Sequence, residues 1–309
     1  MNIKTYFSSL IADTGTCWNR FWFWPLDRRP LDWLRIVAGC VSLYLLATLT
    51  PDLNTYFGEN GLLPVEAVNR VSTNAAGDSL RGWSYLDYFT SSTELLSVHV
   101  LGIAVVALFT LGWLTPATSL LSLVVMLSTV HRAPMITTLV EPVVTLVLFY
   151  WCLGPGGPIA WAARAITRQP MQRVSVWASV SLRLIQVHVA LLYGTMGLSK
   201  LLSDTWWNGT GIWWLMARPE SRLLNLAGMA ELTLGTTPIG LYLVNSWTHA
   251  VVVYELAFAV LIWNRTLRPL LLGWSIVHWI GIAILLGQPL LAVTMIGVNA
   301  AFMTNDTTR

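Results

Sequence analysis

Charge is scarce in this chain. Only 11% of its 309 residues are Asp, Glu, Lys or Arg, less than half the roughly 25% of ordinary soluble domains, so a water-soluble globular protein of this size is excluded. Lysine is scarcer still: Lys4, in the N-terminal tail, and Lys200 are the only two. There is no basic stretch of the kind that tracks a phosphate backbone, so nothing points to nucleic acid. The three cysteines, Cys17, Cys40 and Cys152, are scattered without CxxC spacing, which argues against a disulfide framework and a zinc site alike. The histidines never recur as HxxxH or HxxE on one apolar stretch, and no metal is assigned. Residues 1–30 carry Asp13, Arg20, Asp27, Arg28 and Arg29 with no apolar run ahead of a small-residue cleavage site, so the first hydrophobic helix is expected to stay as an anchor.

What fills the chain instead is hydrocarbon. With 55% hydrophobic residues and 17 tryptophans and a mean hydropathy of +0.61, the sequence reads as an all-α, polytopic integral membrane bundle. A span needs about 20 apolar residues, and eight stretches approach this: 31–50, 93–113, 116–131, 137–154, 176–203, 238–262, 267–286 and 288–303. Tight connections at Gly112 to Thr118, Asn264 to Pro269 and Gly287 to Pro289 force antiparallel neighbours. Loop charge gives the orientation. Lys4, Arg20, Arg28, Arg29, Arg164, Arg168, Arg173, Arg265, Arg268 and Arg309 fall on one side, while the other holds most of the acids, a positive-inside pattern with both termini cytoplasmic. The organisation expected is a cytoplasmic or interfacial segment 1–30, a transmembrane domain 31–303 and a cytoplasmic tail 304–309. The two long outer loops, 51–92 and 204–237, carry Trp83, Tyr85, Tyr88, Trp206, Trp207, Trp213 and Trp214, which suits short interfacial helices capping the outer mouth.

Against that background the ionisable residues inside the spans stand out, because a charge in hydrocarbon needs a partner or a wet cavity. Lys200 lies within one turn of the outer end of the fifth stretch, His131 ends the third on that side, and Glu141 lies about one turn into the fourth. His249 and His278 fall in the outer half, roughly 9 to 17 Å down by helical rise. Gln186, Tyr193 and Lys200 recur every seven residues and share one helical stripe. Partial burial would let Lys200 act as a base, with His131 and His249 moving protons or holding a substrate oxygen. The competing reading gives Lys200 a structural carboxylate partner, Glu141 or Asp204. Deeper in, Arg183 and Glu255 are expected at similar depth, as an ion pair between adjacent helices.

Several of these segments resemble a known family. Trp18 to Phe23 with Pro25, Arg29, Pro30, Leu31 and Arg35, then Asn60 to Pro64, His131 to Pro134, Tyr193 to Leu201 with Trp206 and Gly209, Tyr254 to Leu256, and His278, Ile280 and Gly281 resemble the horizontally transferred transmembrane (HTTM) family. That is the membrane domain shared with vitamin K-dependent gamma-glutamyl carboxylase. The resemblance implies a lysine base at Lys200 assisted by His131, with reduced vitamin K or another quinone as cofactor and a protein or peptide substrate on the outer side. Tyr193, Gln186, His249, His278 and Glu141 would line the quinone pocket. Two departures bear on the protein substrate: Ser199 stands where the family commonly carries a basic residue, and the sequence stops at Arg309 without the carboxylase's large lumenal portion. The alternatives are a non-catalytic membrane partner or maturation factor for another protein, and a small-solute transporter.

Overall fold

The computed structural model describes residues 3–74, 81–167, 174–217 and 237–304. Asp78, Arg168, Arg173, Arg218, Glu220, Arg222, Glu231 and the tail beyond residue 304 lie outside the described residues. The described chain is almost wholly helical, with one short antiparallel pair in which Leu26 and Asp27 meet Ser175 and Val174. In chain order the helices are α1 (Ile3–Phe23), α2 (Arg29–Leu49), α3 (Leu53–Phe57), α4 (Val65–Val71), α5 (Ser92–Leu111), α6 (Thr115–Arg132), α7 (Val140–Cys152) and α8 (Pro158–Thr167). There follow α9 (Val176–Leu201), α10 (Asp204–Trp207), α11 (Gly211–Ala217), α12 (Pro238–Leu261), α13 (Arg268–Leu286) and α14 (Pro289–Asn299).

Among the described residues five of these helices, α2, α5, α9, α12 and α13, are long and apolar enough to cross a bilayer. That is the pattern of a multi-pass membrane protein, and faces such as Leu96, Val100 and Leu101 of α5 or Trp274, Val277 and Ile280 of α13 turn apolar side chains outward, as contact with lipid tails requires. Helices also form at the other three expected stretches, with weaker credentials. Ser, Thr, His131 and Arg132 dilute α6. The 13 residues of α7 and the 11 of α14 rise only about 20 and 16 Å, short of a hydrocarbon core of about 30 Å. The two long loops carry short helices: α3, α4 and a 3₁₀ turn at Tyr85–Tyr88 in the first, α10 and α11 in the second.

The chain divides into two compact units, Met1–Leu184 with Thr304–Arg309, and Ile185–Met303. In the first, α2, α5, α6 and α7 pack as a closed ring, each against the next. Gly39 brings α2 close to α5, since a Cβ there would lie 2.9 Å from the Cβ of Thr110. The α5 helix ends on Gly112 at φ +83, and Arg35 of α2 caps its orphan carbonyls, donating from Nη1 to Phe109 O at 2.8 Å and to Thr110 O. Helix C-termini leave such carbonyls open and attract cations. Trp151 of α7 locks the ring from inside, packing edge-on to Phe109 with centroids 5.1 Å apart and donating from Nε1 to Leu31 O at 3.1 Å. Burial pushes the Tyr85 phenol up to about 12.

In the second unit, α13 and α14 form a tight hairpin turned by Gly287 at φ +64, and α11 packs on α12 and α13. Its core is aromatic. Tyr193 of α9 stacks on Phe258 of α12 at 3.9 Å, with Trp279 of α13 and Phe302 beyond α14 completing the cluster.

Candidate functional site

Lys200 stands in the last turn of α9, and the sequence brings α12 close to it. Gly197, three residues earlier, would carry a Cβ 2.8 Å from the Leu256 side chain, and one at Gly194 would touch Ala259 at 3.4 Å. Small residues at such spacing let two helix backbones approach in an apolar medium. At that crossing the Lys200 ammonium donates to both oxygens of Glu255, at 2.8 Å to Oε1 and 2.7 Å to Oε2. Glu255 is fully buried, whereas the lysine side chain keeps 16% of its surface open. The indole of Trp206 in α10 covers the amine, with Nζ 5.1 Å from the ring centroid, a cation–π contact that strengthens as water is removed.

The carboxylate also neighbours His278 of α13, whose Nε2 is 3.7 Å from Glu255 Oε1. This imidazole is wedged between Tyr254 and Trp279, ring centroids 5.0 and 5.2 Å away. Its Nε2 makes no hydrogen bond. Amine, carboxylate and imidazole thus form one buried cluster contributed by three helices. Tyr193, two turns earlier on α9, belongs to the polar network beneath: its hydroxyl oxygen accepts from Trp279 Nε1 at 2.5 Å and Asn299 Nδ2 at 2.8 Å. Gln186 donates to Ala301 O at 2.7 Å. All three members of the seven-residue stripe therefore make inward polar contacts, each with a different partner.

The expected pairing of Arg183 with Glu255 is overturned, because Lys200 occupies both carboxylate oxygens. Depth counted from the start of α12 misplaces Glu255. The first turns of α12 run on past the end of α9, where Asn245 donates to Asn208 O at 3.3 Å and His249 Nε2 lies 3.2 Å from Trp207 O. Glu255 consequently meets the last turn of α9, while Arg183 lies 17 residues back along the helix, about 25 Å by helical rise. The Arg183 guanidinium sits over the Phe21 ring at 4.7 Å. The carboxylate partners expected for Lys200, Glu141 and Asp204, give way to Glu255 for the same reason.

The remaining expected site residues have local engagements. His131, in the first unit, sets Nδ1 2.9 Å from Trp83 O, with its ring filling the space a side chain at Gly82 would need. Glu141, in the same unit, accepts from Thr138 N at 2.9 Å and from the Thr138 hydroxyl, closing the first turn of α7. It also lines a half-open cavity of about 290 Å³ with Asp52, Tyr56 and Phe57. His249 bridges Asn245 O and Trp207 O, 2.9 and 3.2 Å from its two ring nitrogens, so it fastens α12 to α10. Among the described residues no three His, Cys, Asp or Glu side chains gather as metal ligands.

Compared with protein-family models, with curated proteins and with solved structures, the chain finds no match. The site has to be read from its own chemistry. A lysine bonded to a buried carboxylate can be converted, by one proton shift along a 2.7 Å hydrogen bond, from an ion pair to a neutral amine beside a neutral acid. Apolar surroundings penalise separated charge and narrow the gap between those two forms. An amine so placed can accept a proton.

Proposed function

We propose that this chain is an eight-span membrane protein with both termini cytoplasmic, and that its Lys200 centre carries out acid–base chemistry on a lipid-soluble hydroquinone at the outer mouth of the bundle. The resemblance to the HTTM family motivates the substrate class, reduced vitamin K or a related quinol. The observation that carries the reading is the bond from Lys200 to the wholly buried Glu255. Such a pair is costly to bury, and a membrane protein that keeps one at a helix crossing has a use for it.

In this reading Lys200 is the base. Its ammonium proton moves to Glu255, the freed Nζ accepts a proton from the quinol hydroxyl, and the Trp206 indole lies against the amine. The surroundings are apolar and aromatic: Tyr193, Tyr254, Phe258 and Trp279 pack on one another beside the pair, and the lysine side chain keeps 16% of its surface open to an incoming ring. A bound quinol supplies a hydroxyl that, once deprotonated, reacts with dioxygen. The imidazole that shares Glu255 is His278, so within this unit it takes the place beside the base that the resemblance gives to His131.

A photoreactive naphthoquinone tests the placement. Crosslinks in the peptide that ends α9 or in α10, displaced by excess unlabelled quinone, are expected. Labelling confined to other helices, or insensitive to competition, contradicts the site. A second reading has its own observation: Trp207 and Trp214 are 66% and 53% exposed on α10 and α11, an aromatic face that a partner protein could cover. Stoichiometric co-purification of a partner that survives Lys200 substitution favours this non-catalytic role.

A further inference from the structure

Resting on the acid–base reading just given, we propose that His278 is the proton store of the centre. It acts through Glu255, as a positioning residue for the proton, and does not touch substrate. In the resting form Lys200 is an ammonium, Glu255 a carboxylate and His278 neutral, and the cluster has no net charge. With the proton on Glu255 all three groups are neutral, and the carboxyl cannot take a second proton. A second transfer frees it. The N–H bond of Lys200 breaks as an O–H bond forms on Glu255; that O–H bond then breaks as an N–H bond forms on His278 Nε2. The result is a neutral amine, a carboxylate and an imidazolium, again with no net charge, so no uncompensated charge is ever buried.

Three observations converge on this role. Nε2 of His278 is buried without a hydrogen-bond partner, and in the tautomer protonated on Nδ1 it is the acceptor. It lies on the same oxygen that receives the lysine, 3.7 Å from Glu255 Oε1, and an approach of about 0.8 Å brings it to hydrogen-bonding distance. The ring packs beside Tyr254 and Trp279, with centroids 5.0 and 5.2 Å away. The titratable groups that face this region are Glu255 and Tyr254 of α12 and Lys200 and Tyr193 of α9. Tyr254 directs its hydroxyl to Leu271 O at 3.4 Å, and the Tyr193 oxygen already accepts two bonds. Glu255 is the group left to hand His278 a proton.

The scarcity of lysine supplies the assay. Only Lys4 and Lys200 carry side-chain amines, so acylation of the full-length protein in nanodiscs by a lipid-soluble amine-reactive ester, read by peptide mass spectrometry, reports Lys200 with Lys4 as internal reference. Acylation needs the neutral amine. His278→Gln, which keeps a similar bulk but accepts no proton, is expected to slow labelling of Lys200 relative to Lys4. His278→Ala is expected to do the same and to be restored by added imidazole. Labelling of Lys200 at the wild-type rate in His278→Gln, or failure of imidazole to rescue a folded His278→Ala, overturns the proposal. Glu255→Gln separates the two levels of the account. If Lys200 stays inert there too, with its counter-ion gone, the amine is unreachable and the functional reading itself fails.

Discussion

Replacing Lys200 by Met leaves the Glu255 carboxylate wholly buried with the His278 imidazole 3.7 Å away and no cation bonded to it. Charges at about 4 Å attract by about 4 kcal/mol at an effective dielectric of 20, and most of that is offset by the desolvation of making the pair. What the substitution exposes is the desolvation alone, and breaking a buried pair from one side costs about 3–5 kcal/mol. Glu255→Leu should cost less, because the lysine keeps 16% of its surface open and its stem can lift the ammonium to water. The double variant Lys200→Met/Glu255→Leu, which removes both charges for apolar groups of similar size, should lie within about 1 kcal/mol of wild type. The assay is unfolding of purified protein in mixed micelles by increasing SDS, followed by circular dichroism, for all four corners of the cycle. Equal costs for the two single variants would refute the asymmetry. A double variant as unstable as the sum of the singles would refute the pairing.

Other perturbations follow from the same geometry. Tyr193→Phe strands two buried donors, Trp279 Nε1 and Asn299 Nδ2, and should cost about 2–3 kcal/mol in the same SDS titration while leaving helix content unchanged. Arg35→Ala uncaps α5 by removing its bonds to the Phe109 and Thr110 carbonyls, an expected loss of about 1.5–3 kcal/mol, with Arg35→Lys recovering part of it. Gly39→Ala drives a methyl into Thr110 and should destabilise by about 1–3 kcal/mol; the same change in a Thr110→Gly background, which removes the clashing Cβ, should cost markedly less relative to that parent, measured by thermal unfolding. Mass spectrometry of lipids retained through gentle purification is expected to find an isoprenoid quinone bound to wild type and depleted in Trp206→Ala.

Much of the architecture was legible because apolar length and turn residues act locally. Each of the eight apolar stretches forms a helix, and Gly112 and Gly287, expected in tight connections, take the left-handed conformation those turns need. Whether a helix is long enough to span is a separate matter: α7 ends at Cys152 and α14 at Asn299, boundaries that hydropathy does not mark. Period seven put Gln186, Tyr193 and Lys200 on one face of α9, where each makes an inward polar contact. Depth was the weak step. Counting residues from a helix end presumes that neighbouring helices end level, and α12 begins turns beyond the end of α9, so the count pairs Glu255 with Arg183 instead of Lys200. The signal that could have corrected this is Gly194 and Gly197, whose spacing marks where α9 is approached most closely. His278 was identified only as a polar group in the outer half. Its role as neighbour of Glu255 depends on how α13 packs, which no pattern within one helix encodes.

Lys200→Arg is the most direct test of whether the amine serves as a base. Arginine keeps the positive charge and can hold Glu255 through a bidentate bond, but it does not surrender its proton. Oxygen-dependent consumption of a reduced naphthoquinone should therefore fall to the protein-free background in proteoliposomes of Lys200→Arg, with the protein still folded and inserted. Turnover by that variant at the wild-type rate would contradict the account.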